Sequence, residues 1–305
     1  MNKDICYLCK SKQNKYLYKK NGYDIVQCLN CRFIFVKSLP SNEQLSRYYI
    51  KFDYKNIDLM EPVIRRDAVR SLKLIRKYSN IFNFDKRLLD IGCGRGYFMD
   101  ESRKIGLDTY GVDYSKKMVN FSKKVLRLNV QHSDIFNFNP KHKFDIITLN
   151  QVIEHVTNPR DLIRKCYKLL RSGGIIYIAT PNIDSLSAKV LNEDFDHLIP
   201  PEHLGYFNCK TLINLLKSAN FNILHTGSWS YSQDLAGIIK RLLIKKNGKN
   251  KIKLNNALTQ LDSSITSRIK SIKYILFDKL FCSIFYRILN IDHLGIMLEV
   301  VSIKN

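Results

Sequence analysis

A short apolar strand followed at once by alternating glycines constrains the fold of this chain more than any other feature. The run from Leu88 to Ile91 breaks into glycines at 92, 94 and 96, and a segment with helical spacing follows. This pattern is typical of a buried strand that turns tightly into a helix. Without β-carbons, such a turn lets a ligand lie against the backbone near the N–H groups of a helix start. The sequence predicts a ligand site here, and a purely structural turn is the alternative.

Strands and helices alternate along the chain beyond this turn. Strands are predicted at 109–113, from 130, at 144–149 and at 175–179, with helices at 116–128 and 159–170 between them. Such alternation indicates a parallel sheet with right-handed crossovers and ligands at the carboxyl ends of its strands. Three carboxylates fall at successive strand ends: Asp90, Asp113 and Asp134.

The spacing G-x-G-x-G after Asp90, together with these acids, resembles class I S-adenosylmethionine-dependent methyltransferases. The resemblance implies an α/β, Rossmann-like methyltransferase sheet of seven strands whose last strand, within 295–304, is antiparallel. It also implies that Asp113 accepts the ribose hydroxyls, that Asp134 meets the adenine amino group, and that the glycine turn faces the aminoacyl end of the cofactor. The expected cofactor-binding residues are Asp90, Gly92, Gly94, Gly96, Asp113, Tyr114, Asp134, Ile135, Asn150 and Gln151.

Two later motifs indicate where the acceptor would bind. The run from Asp145 through His155 to Asn182 and the run from Pro201 to Phe207 resemble the branch of this family that includes ubiquinone-pathway and sugar methyltransferases. Methyl transfer is an in-line displacement that needs alignment and, for a hydroxyl or C–H acceptor, a base. We expect His203, or else His155, to be that base, on the expectation that both have a pKa near neutrality at the pocket rim. Glu154 would orient a neighbour, and a purely structural role is the alternative for both histidines.

Four cysteines near the start of the chain have the spacing of a metal site. Cys6 and Cys9 form one C-x2-C pair, Cys28 and Cys31 form a second, and the segment between the pairs is predicted to form short strands with a turn at Asn21-Gly22. Two such pairs are typical of a zinc ribbon, in which four thiolates close the coordination sphere of a structural zinc. A ribbon before such a domain resembles bacterial methyltransferases acting on nucleotide-linked deoxysugars or on polysaccharide and antibiotic sugars.

The predicted domain organisation follows from these motifs. A helix with a basic outer face is predicted from Pro62 to Tyr78. The predicted segments are a zinc ribbon at 1–40, a linker with cap helices at 41–85, the methyltransferase core at 86–232, a basic amphipathic helical insertion at 233–290 and the final core strand at 291–305.

The predicted insertion combines many lysines and arginines with a long apolar stripe that starts at Leu254. Such helices pack on the core or on a second subunit, which would make a homodimer, or they lie in a membrane interface. We expect packing first, peripheral membrane contact through residues 254–289 second, and nucleic acid third.

The charge of the whole chain limits the classes of partner. A formal net charge of +23, from 50 basic and 27 acidic residues, attracts phosphate-bearing partners, although part of it is compositional. The absence of a charged-then-apolar leader and of a long uncharged run predicts a cytoplasmic protein, at the inner face of the membrane if the insertion binds lipid. The predicted function is methyl transfer to a small or glycan-type acceptor, free or lipid-linked, most consistent with a sugar in polysaccharide or nucleotide-sugar biosynthesis. A ribosomal or transfer RNA methyltransferase and a non-catalytic membrane-surface scaffold are the alternatives.

Overall fold

The computed structural model describes residues 5–41, 43–45, 57–79, 86–230 and 293–305. Two compact units divide the chain: Met1–Pro181 with His197–Thr226 and Glu299–Asn305, and Asn182–Asp196 with Gly227–Leu298. The strands are β1 (Asn14–Lys20), β2 (Tyr23–Cys28), β3 (Ile34–Val36), β4 (Arg87–Ile91), β5 (Asp108–Asp113), β6 (Asn129–His132), β7 (Phe144–Asn150), β8 (Leu170–Pro181), β9 (Gly205–Tyr206), β10 (Phe221–Trp229) and β11 (Met297–Lys304). The helices are α1 (Ile57–Ser79), α2 (Tyr97–Lys104), α3 (Lys116–Lys124), α4 (Pro159–Leu169), α5 (Leu186–Leu191) and α6 (Cys209–Lys217).

The strands from β4 to β8 belong to a seven-stranded mixed sheet, as the sequence predicts. Its strand order is β10-β11-β8-β7-β4-β5-β6. β4 pairs in parallel with both β5 and β7, so Asp90 lies opposite Gly111 on one side and Thr148 on the other. β7 is apolar along most of its length and buried up to Leu149 because helices cover both faces of a parallel sheet. The carboxyl ends of β4, β5 and β7 therefore meet at one edge.

A second sheet contains the N-terminal strands in the order β1-β2-β3-β9. β1 and β2 pair in antiparallel fashion around a turn at Asn21-Gly22, whose φ angles are 48° and 85°. Two successive residues with positive φ suit the right-handed twist of a tight hairpin, and Asn-Gly is the preferred sequence there. The predicted hairpin is confirmed, and β9 joins its sheet from residues far along the chain.

Several predicted element boundaries are wrong. α1 begins at Ile57 and carries Pro62 inside it, which removes a single backbone hydrogen bond. α3 ends at Lys124, four residues before the predicted end. Residues 151–156 form a turn, and α4 begins at Pro159 as the sequence predicts. β8 begins at Leu170, ahead of the predicted start at 175, because Leu170 pairs with Phe144 beside a register shift.

In the second unit, α5 and the residues just before it are hydrogen-bonded to the segment that precedes β11. The side-chain amide of Asn182 donates to the carbonyls of His293 and Gly295, and Leu186 N–H donates to Leu294 O at 2.9 Å. The predicted insertion at 233–290 lies outside the described residues. Among the residues that are described, no helix combines the length and the hydrophobicity that crossing a bilayer requires.

Candidate active site

The three glycines after β4 lack side chains for different structural reasons. All three have positive φ, 67° at Gly92, 53° at Gly94 and 80° at Gly96. A β-carbon on Gly92 would lie 2.6 Å from Val152 Cγ2, and one on Gly96 would lie 2.5 Å from Leu128 Cδ1, so a side chain at either position would force its neighbour to shift. A β-carbon on Gly94 would have no neighbouring atom within 4 Å. Of the three, Gly94 is the one whose missing side chain leaves open space for a ligand.

Asp113 closes the turn from the neighbouring strand. Its Oδ2 accepts a hydrogen bond from Gly94 N–H at 2.8 Å, and its Oδ1 accepts one from Ser115 N–H at 2.7 Å. Burial raises the pKa of this carboxyl, and the two backbone donors oppose the shift. Each oxygen keeps lone pairs, so the carboxylate can still accept ribose hydroxyls in charge-assisted hydrogen bonds.

Asp90 is buried beneath the turn and has a partner that sequence reasoning missed. Thr148 on β7 donates a hydrogen bond from its hydroxyl to Asp90 Oδ1 at 2.6 Å. Burial raises the pKa of Asp90 to about 7, although the Thr148 hydroxyl stabilises the charged form. The signal for this contact was a threonine in the middle of an otherwise apolar run.

The expected adenine end of the site carries one capped turn and one exposed aromatic ring. Asp134 Oδ1 accepts a hydrogen bond from Phe136 N–H at 2.8 Å and caps the short 3-10 turn at 135–137, whose Ile135 is buried. Tyr114 is 70% exposed, and His132 contacts its backbone carbonyl at 2.9 Å. The ring is therefore available to a planar ligand while its backbone is held.

The structure brings the predicted cofactor residues together at one edge of the sheet. Asn150 ends β7, and Gln151 follows in the left-handed conformation, with φ 53°, where its N–H donates to Ala179 O at 2.8 Å. Open space over Gly94 beside the Asp113 carboxylate and an exposed Tyr114 fits an adenosyl cofactor with an aminoacyl arm. The residues present are thus suited to hold S-adenosylmethionine.

Matched alanine substitutions should separate the two kinds of glycine. Both Gly94→Ala and Gly96→Ala force a side chain into the left-handed region, at a cost of about 1–2 kcal/mol. Gly96→Ala also overlaps Leu128, so we expect a further loss of about 1–3 kcal/mol in the free energy of unfolding. Gly94→Ala should instead weaken S-adenosylmethionine binding by about tenfold, the equivalent of about 1.4 kcal/mol. Titration calorimetry measures the affinity for S-adenosylmethionine, and denaturant unfolding measures the free energy of unfolding. Unchanged affinity in Gly94→Ala would contradict the assignment of Gly94 to the cofactor site.

A second cluster, which we call the histidine cluster, consists of Glu154, His155 and His203. The two imidazole rings meet edge to face with centroids 4.7 Å apart, and His155 Nε2 lies 3.9 Å from Glu154 Oε1. Ligand atoms of all three lie within 4.8 Å of one another, so the cluster could also share a divalent cation. Residues 48 positions apart in the chain thus meet in one place.

Backbone carbonyls fix both imidazole rings. His155 Nδ1 lies 2.8 Å from Glu202 O, and His203 Nδ1 lies 2.7 Å from His197 O. A carbonyl oxygen only accepts, so each Nδ1 carries the proton and each Nε2 keeps a lone pair. The side chain of His155 is 23% exposed, whereas His203 is 4% exposed. The ring of His155 is therefore the more accessible of the two.

Burial shifts the pKa of every member of the histidine cluster. It lowers the pKa of His155 to about 4 and that of His203 well below its usual range. It raises the pKa of Glu154 to about 8. Glu154 Oε2 accepts a hydrogen bond from Thr180 Oγ1 at 2.9 Å, and Glu154 Oε1 has no hydrogen-bond partner among the described residues. The expectation of two histidines with near-neutral pKa at a pocket rim is therefore wrong. Both rings are neutral at physiological pH, and His203 is buried.

Comparison with known proteins decides the family. The profile of a family described as a methyltransferase domain matches residues 63–226, more than half of the chain. This chain is a member of that family of S-adenosylmethionine-dependent methyltransferases. The methyltransferase is 31% identical over 208 residues to a ubiquinone biosynthesis O-methyltransferase of Glaesserella parasuis serovar 5 (strain SH0165), covering 58% of this chain and 83% of that protein. A relative with the same name from Pelagibacter ubique (strain HTCC1062) is 28% identical over 193 residues, covering 56% and 79%.

A solved structure supports the fold of the methyltransferase. The SAM-dependent methyltransferase from Archaeoglobus fulgidus superposes with a TM-score of 0.53 at 18% sequence identity, covering 83% of this chain and 100% of that one. At this identity the likeness concerns the fold alone.

The methyltransferase also brings its four N-terminal cysteines together. Their sulfurs lie within 4.8 Å of one another, with Cys6 and Cys31 at 3.5 Å and Cys9 and Cys28 at 3.4 Å, and all four are free thiols. Tetrahedral zinc with Zn–S bonds of about 2.3 Å would place its sulfurs about 3.8 Å apart. The donor set and the spacing fit zinc.

Proposed function

We propose that this methyltransferase transfers the methyl group of S-adenosylmethionine to a hydroxyl group of a small, glycan-type acceptor. One observation carries the hydroxyl assignment: His155, which follows the carboxyl end of β7, has a neutral imidazole whose Nε2 keeps a lone pair. A hydroxyl is a poor nucleophile until its proton is removed, so O-methylation needs such a base. The relatives named O-methyltransferases support the same chemistry.

His155 is the base that we favour, and His203 is the second candidate. The Glu202 carbonyl holds the His155 ring so that Nε2, rather than Nδ1, receives the acceptor proton. His203 packs against the same ring and restricts its rotation. Glu154, protonated at neutral pH because of its burial, leaves no fixed negative charge beneath the base.

The cofactor residues have separate roles in this proposal. Asp113 and the glycine turn would hold S-adenosylmethionine, with Tyr114 and Asp134 at its adenine. When bound, the cofactor supplies an electrophilic methyl group on a sulfonium. Asn150 ends β7 and Gln151 follows it, and both would hold the cofactor at this strand end so that its methyl group is aligned for in-line attack.

The glycan acceptor is supported by the ribbon and the 201–207 motif, both of which resemble those of sugar methyltransferases. A ubiquinone precursor is the second candidate, because the relatives above are named for ubiquinone biosynthesis. Incubation of the purified protein with isotope-labelled S-adenosylmethionine and fractionated cell extract tests both. We expect a mass increase of one CH2 group in nucleotide-sugar or lipid-linked glycan pools. Label in quinone precursors would support the second candidate, and label confined to RNA would overturn both.

We further propose that the four cysteines hold one structural zinc. Their buried or half-buried thiols and their spacing support it. A matched pair of serine variants tests the site, since Cys31→Ser removes one ligand whereas Cys209→Ser alters a half-buried cysteine outside the cluster. Elemental analysis should find about one zinc per chain in the wild type and in Cys209→Ser, and much less in Cys31→Ser. Equal zinc in both variants would contradict the site.

A further inference from the structure

We propose that the N-terminal ribbon is a positioning device for methyl transfer: Phe33 and Asn21 hold the segment 199–207 in the shape that orients both histidines. We call this segment the histidine loop. The inference rests on the proposed function, because it assigns the ribbon a role through His155 and His203. It gives the ribbon a part in turnover in addition to any part in folding.

Backbone pairing joins the histidine loop to the ribbon. β9 lies antiparallel to β3, with Ile34 opposite Tyr206 and Phe35 opposite Gly205, and Val36 N–H donates to Leu204 O at 2.9 Å. Among the described residues, β3 is the only strand with which β9 pairs. A strand of two residues has too few hydrogen bonds to hold its own shape, so its conformation depends on its partner.

Side chains of the ribbon add two further contacts. Phe33 is fully buried, and its ring lies 4.9 Å from that of Phe207. A β-carbon on Gly205 would lie 2.7 Å from Phe33 Cζ, so the ring packs directly on the loop backbone. At the other end of the loop, the side-chain amide of Asn21 donates to Pro200 O at 2.9 Å.

The other side of the histidine loop contacts the histidine cluster. Leu204 N–H and Gly205 N–H both donate to the backbone carbonyl of Glu154, at 2.8 and 3.1 Å. Glu202 O accepts the Nδ1 proton of His155, and His203 is itself part of the loop. The residues that contact the ribbon are thus the ones that fix Glu154 and His155 or their immediate neighbours. Since small displacements of a catalytic group lower the rate steeply, loosening the loop should lower turnover.

Two ribbon variants and one control test this role. Phe33→Leu keeps an apolar side chain and removes the ring, and Asn21→Gly removes the amide while keeping a residue suited to positive φ. Tyr16→Leu makes the same aromatic-to-leucine change at an exposed site on β1, at the opposite edge of the sheet from β9. We expect kcat to fall about tenfold in Phe33→Leu and about threefold in Asn21→Gly, with S-adenosylmethionine affinity and zinc content unchanged. Tyr16→Leu should match the wild type.

Hydrogen exchange supplies a readout that does not depend on activity. The amides of Leu204 and Gly205 should exchange at least about tenfold faster in Phe33→Leu, whereas those of β4 and β7 should not change. Wild-type exchange in the loop, or faster exchange with an unchanged kcat, would overturn the proposal. Asn21→Gly decides the question if Phe33→Leu does not fold.

A double mutant separates this inference from the proposed function. If the ribbon acts through His155, Phe33→Leu should lower kcat much less in a His155→Gln background than alone, because the two changes share one path. Full additivity would overturn the positioning role and leave the base assignment intact. Full turnover in both His155→Gln and His203→Gln would instead overturn the base, while the loop exchange would still report on the ribbon.

Discussion

His155→Gln should lower kcat by about 10²–10⁴-fold while leaving the affinity for S-adenosylmethionine within about twofold of the wild type. Glutamine keeps a polar side chain of similar reach but has no lone pair basic enough to take the acceptor proton. Gly94 and Asp113, which we propose to hold the cofactor, lie on other elements than His155, so the change should leave them in place. Steady-state kinetics and calorimetric binding of the cofactor measure the two effects separately.

A second histidine provides a matched control for this variant. His142 precedes β7 at its amino end, away from the carboxyl edge, and packs against Tyr110 and Phe144. His142→Gln should keep kcat within about twofold. If His203→Gln lowers kcat and His155→Gln does not, His203 is the base; if neither does, no histidine of the cluster is the base.

The pH dependence of turnover follows from the low pKa of His155. Because burial lowers that pKa to about 4, the ring stays neutral at pH values where an exposed histidine would be protonated. The acid limb of the kcat profile should therefore lie well below pH 6.5. An acid limb near pH 6.5 in kcat, with cofactor affinity unchanged over the same pH range, would contradict a buried base of low pKa.

The cofactor half of the site could be predicted from the sequence because each of its residues is tied to a strand end. A strand, a glycine turn and an acid at the next strand end are local patterns, and a parallel sheet brings consecutive strand ends to one edge. Asp90 and Asp113 therefore lie where the sequence places them, on strands that pair directly. The separate structural reasons for Gly92 and Gly94 were not predictable, because they depend on contacts with distant side chains.

The acceptor half could be predicted only in part. The sequence indicates His155 and His203 as candidate bases, but it does not show that they are buried. Burial is what lowers the pKa of both imidazoles. It also gives no sign that β9 joins the sheet formed by β1, β2 and β3, since a two-residue strand has no periodicity to detect. Long-range packing, rather than local pattern, decides both features.

Glu154→Gln should make the stability of the protein less sensitive to alkaline pH. In the folded chain burial raises the pKa of Glu154 to about 8, whereas in an unfolded chain it returns to its usual value near 4.5. Above pH 4.5 the unfolded state releases the proton and the folded state keeps it, so stability falls as pH rises and the loss is complete above pH 8. With about 1.4 kcal/mol for each pH unit, the full loss is about 5 kcal/mol. Glutamine does not titrate and removes this loss.

The window from pH 6.5 to 8.5 isolates the effect of Glu154. The histidines and Asp90 are present in both proteins, so their titration contributes equally to the two stability curves and cancels in the difference. Between pH 6.5 and 8 the wild type should lose about 2 kcal/mol more than Glu154→Gln in denaturant unfolding, whatever the constant offset between them. Glu43→Gln, at an exposed carboxylate, should follow the wild type. The buffer contains no added divalent cations, because a cation in the histidine cluster would keep Glu154 ionised. If the stability curves of Glu154→Gln and the wild type run parallel, Glu154 is ionised in the folded protein at neutral pH.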